Sequence, residues 1–238
     1  MSRVGIIAAL PAEAESLYSG KIDIASPLEI HPDIFLCLSG MGHESAFNSV
    51  NKLIQLNINA LISWGTAGAI DSRLKPGDLV LADNIKGNDN SFIVSSEWLN
   101  RLNAYFKQQD FKTHIGTIVS INQMCNSVTE KTALAKQTDA IAVDMESAVV
   151  AEMSKQHGLN FIAVRAIADE INDTIPAVVM EHTNNLAEPV FPGFLLSCLQ
   201  QPKQIFRLVT LARRYKMAIK TLKQSAPDLR TQHFLYRN

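Results

Sequence analysis

Short apolar runs recur along this chain, each followed by a segment with a helical period. The runs are Arg3–Leu10, Asp33–Leu38, Ala60–Trp64, Asp78–Ala82, Ile115–Ile121, Ala140–Asp144 and Phe161–Ile167. Several are apolar at nearly every position, as strands covered on both faces are. Between them, Ala12–Tyr18, Glu44–Gln55, Ser95–Lys107, Val128–Lys136, Glu146–His157 and Lys203–Leu222 read as helices. Strand and helix in alternation predict an α/β layered fold. No internal repeat or low-complexity linker interrupts the pattern. Pro189, Pro192 and Gly193 mark a turn before the last helix.

At 238 residues the chain is long enough for one or two domains of about 150 residues. It can bury roughly 70–75% of its unfolded surface. Hydrophobic residues are 47% and charged residues 19%, which excludes a disordered chain and argues against a coiled coil. A formal net charge of −1 argues against a nucleic-acid binder. Cys37, Cys125 and Cys198 are far apart with no CxxC pair. That excludes a disulfide framework, argues against a cysteine zinc site and fits a reduced, cytoplasmic setting. No apolar run is long enough to span a membrane. The run Val4–Leu10 is too short for a signal peptide, with Glu13 and Glu15 directly after it.

Charge is unevenly placed. Residues 186–238 carry nine Lys/Arg and two Asp/Glu, net +7, whereas residues 1–185 carry thirteen and twenty-one, net −8. The segment at about 203–223 holds seven bases and no acid, with apolar residues at helical spacing. It reads as an amphipathic helix whose basic face meets either water or an anionic partner such as a lipid surface.

Ligands of α/β sheets bind beyond the carboxyl ends of the strands, so the residues after each run matter most. They are Pro11-Ala12-Glu13, Ser39-Gly40-Met41-Gly42, Gly65-Thr66-Ala67-Gly68, Met145-Glu146-Ser147 and Ala168-Asp169-Glu170. Parallel neighbouring strands would bring three carboxylates and two small-residue loops to one crevice. Each carboxylate also has a structural use: Glu13 and Glu146 open helices, and Asp169 is placed to cap one. Position 45 is Ser where GxGxxG needs Gly, no Walker pattern is present, and the six histidines show no metal-ligand spacing. Of these histidines only His43 falls near the crevice. Carboxylates with small-residue loops, and no nucleophile elbow or metal ligands, suit glycosidic chemistry. One grips sugar hydroxyls against a cationic transition state, one protonates the leaving group, and one positions water.

Five ordered segments resemble the superfamily of purine nucleoside phosphorylases and methylthioadenosine/adenosylhomocysteine nucleosidases. They are Gly5-Ile-Ile-Ala-Ala-Leu-Pro-Ala-Glu13, Leu38-Ser-Gly-Met-Gly42, Gly65-Thr-Ala-Gly-Ala69 with Lys75-Pro-Gly-Asp-Leu-Val80, Val143-Asp-Met-Glu-Ser-Ala148, and Val164-Arg-Ala-Ile-Ala-Asp169. The second segment, the Pro/Gly turn and the basic C-terminal segment look most like the hopanoid-associated phosphorylases, linked to removal of adenine from adenosylhopane. The resemblance implies one domain over residues 1–238, a three-layer α/β/α fold with a distorted, mostly parallel sheet, and assembly as dimers or larger homo-oligomers. It implies that Asp169 protonates the purine, expected at N7, and that Glu13 positions water. It implies that Glu146 holds the ribose hydroxyls, with Met145 packed on the sugar. Thr66 matches a hydroxyl of the nucleophile or anion pocket, flanked by Gly65, Ser39 and Gly40, and Met124 and Cys125 line the base. No cofactor or metal is called for.

Two positions depart from the pattern. Ser63 stands where phosphorylases of the superfamily commonly place a phosphate-binding arginine, and the Ser39–Gly42 loop has no arginine nearby. Water is therefore favoured over phosphate. Ala168 replaces the serine common before the acid, so the orientation of Asp169 is left to the fold. The expected activity is cleavage of the N-ribosidic bond of an adenine nucleoside, substituted at the 5′ position. The alternatives are phosphorolysis, acting on adenosylhopane for example, a non-catalytic nucleoside-binding protein, and an unrelated α/β enzyme or nucleotide-binding protein.

Overall fold

The computed structural model describes residues 3–88, 90–188 and 202–226. In chain order the elements are β1 (Val4–Ala8), α1 (Pro11–Glu15), β2 (Leu28–His31), β3 (Ile34–Leu38), α2 (His43–Ile54), β4 (Ala60–Ala69), β5 (Leu79–Lys86), β6 (Ser91–Ile93), α3 (Ser96–Gln108), β7 (Thr113–Ser120), α4 (Val128–Thr138), β8 (Ala142–Asp144), α5 (Ser147–Gln156), β9 (Asn160–Asp169), α6 (Ala177–Glu181) and α7 (Pro202–Ser225). The strands form one mixed sheet, ordered β2-β3-β1-β4-β8-β7-β5-β6, with β9 paired to both β4 and β5. Pairings β1–β3, β1–β4, β4–β9, β5–β7 and β7–β8 are parallel. Pairings β2–β3, β4–β8, β5–β6 and β5–β9 are antiparallel.

The distortion of the sheet has a definite origin in β4. Its first half, Ala60–Ser63, pairs with β1, but its last residues, Gly68 and Ala69, pair with β8. Its other edge pairs with β9 from Ala60 to Gly68. Strands β4, β9, β5, β7 and β8 thus close into a circuit, and β1 is left outside it. Between Ser63 and Gly68 one edge of β4 has no neighbouring strand among the described residues, and its backbone groups need other partners. That gap is where the crevice opens.

The apolar runs are buried as expected. Every residue of β1 and β3 is buried, and a continuous core extends from Val4 to Leu222. Helices α2 and α5 pack together and onto strands, and α7 lies across β9 and β4 with α1 against it. Helix α4 begins with a capping box: Ser127 Oγ accepts from the Glu130 N–H at 3.2 Å, and Glu130 Oε2 accepts from the Ser127 N–H at 3.2 Å.

Three elements were not legible as periodicity. Strands β2 and β6 are short and partly exposed at the sheet edge, and α6 is a single turn. One expected loop and one expected strand exit prove to be strand: Gly65-Thr66-Ala67-Gly68 belongs to β4, and Ala168-Asp169 to β9. Small residues there read as turn signals, but the paired neighbour decides. The turn expected at Pro189–Gly193, and Cys198, lie outside the described residues, while Cys37 and Cys125 are buried free thiols.

Candidate active site

A cavity of about 530 Å³ occupies the gap beside β4, within the size range of small-molecule sites. Glu13, Thr66, Met124, Cys125, Met145, Glu146 and Asp169 all line it. They come from five separate parts of the chain and meet at the strand ends.

Glu13 sits in α1, directly after β1. Its carboxylate takes over the orphaned edge of β4. Oε1 accepts from the Thr66 N–H at 2.8 Å and from Thr66 Oγ1 at 2.8 Å. Oε2 accepts from the N–H groups of Ala9 and Leu10, both at 3.1 Å. Gly65 does not line the cavity. It makes room, because a Cβ there would lie 2.8 Å from Glu13 Oε2. Burial raises the Glu13 pKa, opposed by the Arg165 charge and the Thr66 hydrogen bonds.

Glu146 is the N-cap position of α5. Its Oε1 accepts from the Gly42 N–H at 2.8 Å. Gly42 has φ +90° and Gly40 φ +85°, a left-handed conformation that glycine adopts without strain. Burial, then the Asp144 charge, pushes the Glu146 pKa up to about 7. Ser39 and Gly40 stand beside the site and do not line it, a correction to the expected pocket. Their backbone amides extend the β1 pairing, bonding to Ala8 and Ala9 carbonyls, and Ser39 Oγ donates to the Gly40 carbonyl at 2.8 Å. Met41 of the same loop faces the cavity instead.

Asp169 ends β9, where the register with β4 slips: Ala67 pairs with Ile167, but Gly68 pairs with Asp169. Ala168 is the extra residue of a bulge, a device that re-aims the side chain beside it. This supplies the orientation that the missing serine left open. Asp169 is buried, which raises its pKa against the lowering charges of Lys131 and Arg214.

Several lining or supporting groups escaped the sequence reading. Lys131, in the first turn of α4, forms a buried ion pair with Asp169. Arg165 is buried behind the carboxylates. Its Nε donates to Asp144 Oδ2 at 2.9 Å, and its Nη2 to Ser63 Oγ at 2.7 Å and Ser147 Oγ at 2.9 Å. The apolar run Phe161–Ile167 placed Arg165 in a strand but gave no sign of its partners. Leu208, Leu211, Ala212 and Tyr215 of α7 form an apolar wall, a part in the site that the helical period alone did not give them.

Fold and site together define an α/β protein with a carboxylate-lined crevice at the ends of its strands. A family model described as the phosphorylase superfamily matches residues 3–190. The chain belongs to the phosphorylase superfamily and is an enzyme of that class. Among curated proteins it is similar to a 5′-methylthioadenosine/S-adenosylhomocysteine nucleosidase of Staphylococcus aureus (strain JH9). The two are 27% identical over 159 residues, covering 59% of this chain and 70% of that protein. Among solved structures it is similar to the nucleosidase of the same name from Neisseria meningitidis in complex with methylthio-immucillin-A, with TM-score 0.71 and 18% identity, covering 96% of this chain and all of that one (100%). A futalosine hydrolase mutant of Helicobacter pylori strain 26695 aligns with TM-score 0.69 and 17% identity over 96% and 100% of the two chains. At such identities the structural likeness speaks for the fold.

Proposed function

We propose that this enzyme hydrolyses the N-ribosidic bond of an adenine nucleoside carrying a 5′ substituent. The observation that carries this reading is the bonding of Glu13. The donors of an anion pocket, Thr66 N–H and Oγ1, are already satisfied by its carboxylate. A phosphate placed there would meet a negative charge, whereas a water is a suitable neighbour for a carboxylate base. Ser63, where an arginine would bind phosphate, is instead tied to Arg165 at 2.7 Å. The nucleosidase and hydrolase names of the relatives support the same choice.

The steps follow from the groups present. As the C1′–N9 bond breaks, its electron pair goes to the base and positive charge gathers on the ribose. Asp169 gives its proton to the base, at N7, and removes that negative charge, an effect of about 10²–10⁴-fold. Glu13, Asp144 and Glu146 surround the sugar end, and among the described residues Arg165 is the cation that faces them. The surplus negative charge matches a cationic transition state better than a neutral substrate. Glu146 accepts from the ribose hydroxyls, Met145 packs on the sugar, and Met124 and Cys125 face the base. Water bound to Glu13 attacks C1′ and leaves its proton on Glu13.

The 5′ end faces the apolar wall of α7. An apolar substituent fits there, in keeping with the hopanoid-associated branch. Elsewhere on α7, exposed Ile205, Phe206, Val209 and Met217 accompany the exposed bases Arg213, Lys216 and Lys220, a composition suited to an anionic lipid surface. We take residues 1–238 as one domain acting in the cytoplasm, with the homo-oligomer of the superfamily as its working state.

The test is chromatographic: adenine release from adenosine, methylthioadenosine, adenosylhomocysteine and a long-chain 5′-alkyl adenosine, with and without phosphate. Release without phosphate, giving free sugar and lost in Asp169→Asn, is expected. Release only with phosphate, giving a ribose 1-phosphate, replaces hydrolysis by phosphorolysis. Calorimetric binding without turnover of any of them makes the chain a nucleoside-binding protein.

A further inference from the structure

One buried charge behind the cavity wall, paired with Asp169, has no part in the steps above. Lys131 is completely enclosed, at 0% exposure. Enclosing an ammonium is costly, and the first turn of a helix, with its positive dipole end, is an unfavourable place for one. The capping box of Ser127 and Glu130 fixes that turn rigidly, one residue before Lys131. The lysine is therefore held against two adverse effects, and what it meets is the acid. Its Nζ contacts Asp169 Oδ1 and donates to the Glu170 carbonyl at 2.8 Å.

The other charges around Asp169 are differently engaged. Arg214 of α7 pairs with Asp173 and, at 3.9 Å, with Glu170. Lys75 reaches Glu170 at 3.6 Å. Cys125, whose thiol is pushed up by burial, and Glu130 stand on the side of α4. Glu146 and Glu13 lie across the cavity. Among the described residues, Lys131 is the cation in direct contact with the Asp169 carboxyl.

We propose that Lys131 is a positioning residue for the acid: it holds Oδ1 of Asp169, directs the transferable proton to Oδ2, and receives the carboxylate charge that appears when that proton leaves. The step balances without a further reactant. The Oδ2–H bond breaks as the N–H bond of the departing base forms, the electron pair stays on the carboxylate, and Lys131 keeps all its protons. The pair makes Asp169 a stronger acid and confines its protonated form to lower pH. This inference rests on the reading of Asp169 as the acid.

The pH dependence of kcat/KM for adenine release separates the possibilities. In Lys131→Met the alkaline limb moves up by about one to three pH units, as loss of an adjacent opposite charge requires. The kcat on the plateau falls by about tenfold, because the acid is weaker. Lys131→Arg returns the limb toward the parent position. If Lys131→Met does not fold, the neutral donor Lys131→Gln is expected to shift the limb in the same direction. Lost activity with an unmoved limb overturns the proposal and leaves Lys131 a structural residue. Retained turnover in Asp169→Asn overturns the acid reading itself. A readout without substrate is the protonated-carboxyl infrared band of Asp169, assigned by difference against Asp169→Asn. Its midpoint rises in Lys131→Met, and an unchanged midpoint overturns the proposal.

Discussion

At the scale of single residues the site depends on a space left empty. Gly65 carries no Cβ, and the Glu13 carboxylate fills that volume while holding four hydrogen bonds. A methyl at 2.8 Å from Oε2 displaces a side chain that is otherwise pinned. Gly65→Ala is therefore expected to lower adenine release by about a hundredfold or more, the scale of a general base. It should match Glu13→Gln, and the double variant should be no worse than either single one, because both changes remove one function. Additive losses would show that Gly65 acts by another route. The three carboxylates themselves were legible in the sequence, because each directly follows an apolar run. Arg165 and Lys131 were not legible as site residues. Their importance comes from Asp144 and Asp169, which lie 21 and 38 residues away in sequence.

At the scale of elements, α7 borders the cavity with one set of residues and exposes another to solvent. Leu208, Leu211, Ala212 and Tyr215 border the cavity. Phe206 is 80% exposed, and Val209, Met217 and the bases Arg213, Lys216 and Lys220 are exposed further along the helix. Each base near an anionic bilayer contributes about 1 kcal/mol. Replacing Arg213, Lys216 and Lys220 together by Glu is expected to abolish sedimentation with phosphatidylserine-containing vesicles. Turnover of a water-soluble nucleoside should not change, since none of the three lines the cavity. Equal sedimentation of the parent and the variant would discard the lipid contact. Helical period and charge revealed this element from the sequence. They did not reveal that its apolar face borders a ligand space as well as the core. The bulge at Ala168 is the opposite case, since it exists only as a mismatch in length between β4 and β9.

At the scale of the molecule, the fold gathers acids that repel one another and holds them away from water. Glu146 has an ordinary pKa of 4.5 and is raised to about 7. The folded state therefore holds this proton more tightly than the unfolded state does. Its contribution to stability is complete below about pH 4.5 and is lost as pH rises through about 7. Glu13 and Asp169 are raised as well, so their contributions have the same sign. Thermal melts of the ligand-free protein are expected to fall across that interval, and Glu146→Gln should flatten the fall. An identical slope in the variant would show that Glu146 does not titrate there.

The sequence by itself determined the α/β class, the order and positions of most elements, the family, and which carboxylates follow strands. These are local properties, written in apolar period, helix signals and short residue patterns. Tertiary structure alone decided the change of partner along β4, the bulge that aims Asp169, the Glu13–Thr66 bonds, and the Lys131 and Arg165 contacts. Each depends on backbone or side-chain groups from distant parts of the chain meeting where a paired strand ends. An unpaired edge, an extra residue or a buried charge is defined by its neighbours, and those exist only once the chain has folded.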